Sequence, residues 1–434
     1  MSAPSQAQRS LTPLLTPEGW ELVNSLPAYD SADSDRLNRQ LRAAGHSPEL
    51  VAAALTQQQL RAQAHSKFGE FAQRMLLTRH GLEQATRLPV AAHHAQRFVH
   101  VGVQRVIDVG CGIGADTMAN AALGTETVGV EIDEAVAAAA TVNLMPFPNA
   151  TVVHASAEDY LASADLASAG LWFDPARRQV HAAGGAAKVF DPAEYTPSLD
   201  LIGSLVDAGH PVGVKLAPAM PHDALPRSVH ERGEIQYVSH NGDLVEVVLW
   251  FNELARPGIR RSALVLQDDA APTEFTSSVP LPQAGVPAVR GRAGLDSLLA
   301  GGYVYEPDPA LIRARLLDVA VEQVDGFLFD EHIAYFGAPN LHAGPGFTAY
   351  RLEEIRPYNV KKLRAWVKES GIGSLTIKKR GMDVTPEELR NLLLGKLSKA
   401  EKEAGRHQHL ILTRVGQERL ALVVSPATTD SAAS

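Results

Sequence analysis

The chain has 434 residues, 45% of them hydrophobic, and a formal net charge of -9 at pH 7. That length allows several domains with ample core, and the hydrophobic fraction is that of a soluble globular chain. The negative balance excludes wholesale coating of nucleic acid. No apolar run reaches the roughly 18 residues of a membrane span, and a single cysteine, Cys111, excludes an internal disulfide and a cysteine zinc cluster.

The charge is unevenly spread. From Arg351 to Leu420 sixteen Lys and Arg stand against nine Asp and Glu, a net of +7, which leaves -16 for the remainder. Such asymmetry is what a polyanion-binding C-terminal module shows, and also what a merely solvated basic surface shows. Met1 to Thr12 lacks the charged start and apolar run of a signal peptide, so a cytoplasmic protein is expected. The sixteen histidines show no metal-ligand spacing, and no metal is expected.

In chain order, residues 1–98 read as a helical extension. Pro17-Glu18-Gly19-Trp20 opens one helix, Ser31 to Ala44 forms another, and Ser47-Pro48 is a cap followed by proline that starts a third. Gln57 to Leu77 reads as a further amphipathic helix, Thr78 to Thr86 as a polar break, and Val90 to Val99 as the helix that leads onward. Arg105 to Val109 is then a buried strand, followed by the glycine turn Gly110-Cys111-Gly112-Ile113-Gly114 and a helix from Ala115. Strands and helices alternate from there, as in βαβ units with a mostly parallel sheet. The later strands are Thr127–Glu131, Thr151–His154, Gly170–Pro175 and Pro211–Leu216, with a helix over Leu199–Ala208. Asn241-Gly242 between two apolar runs signals a two-residue hairpin.

Asp108 ends the strand before the glycine turn. A carboxylate there repels a pyrophosphate, but suits S-adenosylmethionine (SAM), which carries a sulfonium and an ammonium. The spacing G-x-G-x-G also departs from the dinucleotide pattern. Glu131 lies 23 residues on, at the end of the next strand, where a carboxylate accepts ribose hydroxyls. Asp133, two residues further, is explained as a helix cap.

With these residues, the stretch around Asp108, Gly110, Gly112 and Gly114 resembles the first motif of class I SAM-dependent methyltransferases. The antiparallel hairpin at the end of a parallel sheet fits the same family. The resemblance implies an α/β, Rossmann-like sheet that binds SAM, with Ser156, Ala157 and Glu158 in the turn that meets the adenine. Asp174-Pro175-Ala176-Arg177 falls where amino-group methyltransferases of this kind carry Asp or Asn, two prolines and an aromatic. The resemblance implies that Asp174 and the backbone beside Pro175 orient the acceptor. Ala176 and Arg177 depart from it, and Arg177 offers a guanidinium plane in place of the aromatic.

Lys67-Phe68, Met75-Leu76-Leu77-Thr78 and Gly81 to Thr86 resemble the lead-in of trimethylguanosine-synthase-like RNA methyltransferases. There a helical extension folds over the cofactor, which implies a role for Thr86 at the methionine part of SAM. Residues near 303–337 resemble the small ferredoxin-like domain of a bacterial branch of those enzymes, and residues near 347–424 its THUMP-like domain, an RNA-binding module. The expected organisation is a helical extension over 1–98, a methyltransferase domain over 99–267 and a linker over 268–300. A small ferredoxin-like unit over 301–345, a basic THUMP-like domain over 346–424 and a disordered tail over 425–434 complete it. The expected function is SAM-dependent methylation of RNA. Methylation of a small molecule or protein, and a non-catalytic RNA-binding protein that retains SAM, are the alternatives.

Overall fold

The computed structural model describes residues 10–177, 195–342, 344–395 and 397–427, with only the backbone of Arg177. The chain divides into two compact units, residues 1–234 with 247–257, and residues 235–246 with 258–434.

The first unit opens with α1 (Pro17–Ser25), α2 (Ser34–Ala43), α3 (Pro48–Phe68), α4 (Arg79–Gln84) and α5 (Leu88–His100). Thr16 and Ser47 cap α1 and α3 by accepting from the Gly19 and Leu50 amides, each just ahead of a proline. The sequence pattern suggests a separate helix from Gln57, but α3 runs unbroken from Pro48 because its Ala- and Gln-rich middle holds no breaker. It stops at Gly69, whose φ is 55°. The polar break expected at 78–86 contains the short helix α4, with Thr78 as its cap.

The alternating region follows as β1 (Arg105–Val109), α6 (Ala115–Ala122), β2 (Glu126–Glu131), α7 (Glu134–Leu144), β3 (Ala150–His154), α8 (Ala157–Ser163) and β4 (Ala169–Phe173). After the short pair β5 (Ala176–Arg177) and β6 (Tyr195–Thr196) come α9 (Leu199–Asp207), β7 (Val212–Leu216) and α10 (Arg227–Arg232). The hairpin is β8 (Glu234–His240) and β9 (Asp243–Phe251), turning at Asn241-Gly242. Strands of this unit lie in the order β3-β2-β1-β4-β7, all parallel, and β9 then pairs antiparallel to β7. A parallel sheet closed by an antiparallel strand is the fold expected. Its strands are nearly continuous apolar runs, as strands covered on both faces are.

The N-terminal helices pack on this sheet's own helices. Leu60, Ala64, Phe68, Leu77 and Leu82 share a core with Ile113, Ala115, Met118 and Leu144. Leu22, Leu50 and Ala54 share another with Ala135 and Ala139 of α7. Asn143 of α7 bonds the Leu76 amide and carbonyl and the Ile113 carbonyl, so side chain and backbone lock the extension to the glycine turn.

In the second unit β10 (Arg261–Gln267) runs parallel to β8 and antiparallel to β11 (Ala270–Ser277). Next come α11 (Gly291–Ser297), β12 (Tyr303–Pro307), α12 (Pro309–Arg313), α13 (Leu317–Gln323), β13 (Phe327–Asp330) and β14 (Ile333–Ala338). The last elements are β15 (Phe347–Pro357), α14 (Val360–Glu369), β16 (Ile372–Lys379), α15 (Pro386–Leu394), α16 (Lys399–Ala404), β17 (Arg406–Val415) and β18 (Glu418–Pro426). One sheet in the order β13-β14-β12-β15-β18-β17-β16 joins the strands of the two small domains expected over 301–345 and 346–424. Residues 268–300, expected as a linker, carry β11 and α11. Their buried anchors Phe275, Leu281, Leu295 and Leu298 are spaced too irregularly to show a period in the sequence. Ser425 and Pro426 of the expected tail belong to β18, and residues 428–434 lie outside the described residues. No helix among the described residues is long and apolar enough to cross a membrane.

Candidate functional site

The site forms at the carboxyl ends of β1, β2 and β4, where open α/β sheets hold ligands. Gly110, Gly112 and Gly114 have φ of 85°, 55° and 89°, a region that side chains disfavour. A Cβ on Gly112 would meet nothing within 4 Å, so the turn faces open space. A Cβ on Gly110 would sit 3.4 Å from the Asp174 carbonyl oxygen, which places the β4 end against the turn.

Glu131 fixes the turn from β2. Its Oε2 accepts from the Gly112 amide at 3.0 Å and its Oε1 from the Asp133 amide at 2.9 Å. Each oxygen keeps a lone pair for a further donor. Asp133 caps α7 through the Ala135 and Val136 amides. Ser156 caps α8, accepting from the Asp159 amide at 3.0 Å and donating to the Asp159 carboxylate at 2.7 Å. Ala157 and Glu158 form the first turn of that helix, and the preceding Ala155 amide donates to the Glu131 carbonyl. The 156–158 turn therefore stands beside the end of β2.

A second layer of contacts lies behind these residues. Asp116, in the first turn of α6, is buried and accepts from Thr86 Oγ1 at 2.8 Å, and it lies 2.7 Å from His94 Nδ1. Lys215 of β7 donates to Thr86 Oγ1 at 3.1 Å and to Asp174 Oδ2 at 2.5 Å. Asp108 is buried and accepts from Thr117 Oγ1 at 2.6 Å. A continuous line of polar contacts thus runs from Asp174 through Lys215, Thr86 and Asp116 to His94. Asp116 reads in sequence as an ordinary first-turn helix acid, and His94 as one polar residue on an apolar helix face. Only the fold brings them together.

The partners decide the proton affinities. Burial and the neighbouring Asp116 charge push Asp108 up to about 8, against the Thr117 hydrogen bond. Burial acts in the same direction on Asp116, but the His94 hydrogen bond and charge, with Lys215 and Thr86, outweigh it and bring Asp116 below the usual carboxylate range. Burial and the surrounding acids Asp108 and Glu131 raise the Cys111 thiol well above its ordinary value, which leaves it a packing group and no nucleophile.

Underneath, His94 stacks at 4.3 Å on Trp172, which lies 5.5 Å from Trp250. Lys67 donates to the carbonyls of Leu82, Glu83 and Ala85, closing the end of α4 just ahead of Thr86. Pro175 is buried and Ala176 exposed, while the Arg177 side chain lies outside the described residues. Among the described residues no cluster of His, Cys, Asp or Glu is arranged to hold a metal ion.

In the second unit, Lys378-Lys379-Arg380 is largely engaged within the fold. Lys378 pairs with Glu306, Lys379 reaches the Met382 carbonyl, and the Arg380 guanidinium lies over the Tyr335 ring. Exposed basic groups of this unit include Lys361, Lys362 and Lys368 on α14, and also Lys379, Lys399 and Lys402.

Residues 347–426 match a family described as THUMP domain-like, and residues 7–64 match a domain of unknown function, DUF8688. A protein of Mycobacterium tuberculosis, described as an uncharacterized S-adenosylmethionine-dependent methyltransferase, is 29% identical over 393 residues in each of two strains. The match spans 87% of this chain and 96% of that relative. The crystal structure of a proposed methyltransferase from Porphyromonas gingivalis superposes with a TM-score of 0.69 at 18% identity, covering 93% of this chain and 100% of that one. The fold is that of a Rossmann-like methyltransferase. The resemblance to methyltransferases with a C-terminal THUMP-like domain holds.

Proposed function

We propose that the protein is a SAM-dependent methyltransferase that modifies a nucleobase of RNA. The observation that carries the first half is the open, glycine-lined turn set among carboxylates at the strand ends. Glu131 and Asp174 at those ends, with Asp116 behind them, complement a cation, and the space before Gly112 accepts a ligand that a Cβ would obstruct.

SAM supplies, when bound, a methyl group made electrophilic by its sulfonium. Gly110, Gly112 and Gly114 would line its amino-acid portion, with Asp108 and Thr86 near that end. Glu131 has lone pairs left for ribose hydroxyls, and the Ser156-Ala157-Glu158 turn would border the adenine. Asp174 would accept a hydrogen bond from the acceptor amine and so aim its lone pair, while Pro175 stiffens the adjoining backbone. Arg177 would grip the acceptor's base or phosphate. The protein's contribution is mainly to position the nucleophile in line.

RNA is favoured by the THUMP-like C-terminal segment and by its exposed lysines Lys361, Lys362 and Lys368, since phosphate contacts need such groups. Arg177, where a base-stacking aromatic stands in the resembled motif, favours a second reading, a smaller or protein acceptor.

The test is methyl transfer from labelled SAM to total RNA from a strain lacking the protein, with Asp174→Ala as control. Label in RNA that vanishes in the variant is the expected result. No label, with SAM binding intact by calorimetry, would sink the RNA assignment and favour the second reading. No SAM binding would sink both.

A further inference from the structure

Three carboxylates converge on one lysine. Asp108 comes from β1, Asp116 from α6 and Asp174 from β4, and Lys215 enters from β7. The Lys215 side chain is 13% exposed, so its ammonium is not a head group extended into water from a packed stem. It donates to Thr86 Oγ1 and to Asp174 Oδ2. Through Thr86 it reaches Asp116, which His94 holds from the other side. Other charged groups face the cluster from the extension. Lys67 and Arg87 are close enough for Lys67 to feel both Arg87 and Lys215, and Glu83 opposes them.

We infer that Lys215 is a positioning residue that fixes Asp174 at the acceptor side, supplies the counter-charge for the acid cluster, and ties Asp174 to Asp116 on the cofactor side. The inference rests on the proposed role of Asp174. Asp174 has two carboxylate oxygens, and Lys215 takes Oδ2. The lysine therefore holds the direction of the carboxylate. It also stands in the first unit's cluster as the ammonium that lowers the proton affinity of Asp108, against the push from Asp116 and Asp174.

The experiment compares the full chain with Lys215→Gln, which keeps hydrogen bonding without charge, and Lys215→Arg, which keeps the charge. The first readout needs no ligand: thermal denaturation from pH 6 to 9. A carboxylate whose folded pKa is raised stabilises at low pH and loses that contribution as pH rises. The expected result is a midpoint that falls more steeply with pH in Lys215→Gln than in the native chain, with Lys215→Arg restoring the native slope. Parallel profiles in all three would overturn the inference.

The second readout is methyl transfer to RNA. Lys215→Gln should lower kcat about 100-fold with little change in KM for SAM, and Lys215→Arg should recover part of it. An unchanged kcat in Lys215→Gln would also overturn the inference. Failure of the functional proposal itself looks different. A native chain that binds no SAM or labels no RNA refutes that proposal, while the pH profiles still report on Lys215.

Discussion

The buried ionic groups of the first unit and the surface pairs of the second handle charge in opposite ways. Around the candidate site, ionic groups are buried and bonded to several partners. Glu234 is fully buried and receives the guanidinium groups of both Arg97 and Arg256, and His94 and Asp116 are 2% and 8% exposed. On the surface of the second unit the pairs are open. Arg292 and Glu418 are 39% and 47% exposed, and Lys378 and Glu306 are 39% and 18%. Buried charges set geometry, because an ion without its partner is strongly disfavoured there. Exposed charges set a field that salt screens and a polyanion can recruit. The first arrangement suits a reaction site, and the second suits a docking surface.

The sharpest way to break this contrast is Glu234→Ala. It leaves the buried Arg97 and the half-buried Arg256 without their shared carboxylate, and should destabilise the first unit by about 3 kcal/mol. Urea denaturation followed by tryptophan emission reads it, since Arg97 lies 4.9 Å over the Trp250 ring. A loss under about 1 kcal/mol would place the pair in the same class as the surface bridges.

Asp116→Ala should come next. It removes the shared acceptor of His94 and Thr86, at about 2–4 kcal/mol for two buried polar groups deprived of that partner. It should also lower methyl transfer more than SAM binding, because Thr86 and Lys215 lose their anchor. A variant that keeps native stability by denaturation would show that the contacts are incidental.

A smaller effect separates two buried acids by pH. Asp108, raised to about 8 by burial and by Asp116, stabilises the folded chain when protonated, and that contribution is lost as pH climbs from about 4 towards 8. Asp108→Asn keeps an acceptor for Thr117 and should flatten the decline in melting temperature over that range. Asp116, held below the usual range by His94, Lys215 and Thr86 against burial, contributes in the reverse sense, and its share is lost only as the solution turns acid.

The contrast also explains what the sequence made legible. The glycine turn, Asp108, Glu131 and Asp174 are read from local order, since a strand end followed by a turn puts them on one edge of a sheet. The parallel strands and the hairpin announce themselves through apolar runs and Asn241-Gly242. Asp116 and His94 could not be read that way. They come from a helix turn and a second helix, and no local period links them. Thr86 was reached through resemblance alone. The β11–α11 stretch was hidden because Phe275, Leu281, Leu295 and Leu298 bury without periodicity, so Pro, Gly and Ala dominated its appearance.

The smallest effect tests the surface side of the comparison. Glu306→Gln removes the partner of Lys378, a pair open enough that its loss should change stability by no more than about 1 kcal/mol. The same substitution releases a cation on β16, in the segment that matches the THUMP-like family. If that face meets RNA, retention on RNA should strengthen, and the dependence of log affinity on log salt should steepen by about one unit, as one more phosphate contact requires. The companion change Lys361→Glu with Lys362→Glu should weaken retention and flatten the slope. Unaltered salt slopes in both variants would mean that the basic excess is a solvated surface. The acid cluster of the first unit would then have to be matched to an acceptor other than RNA.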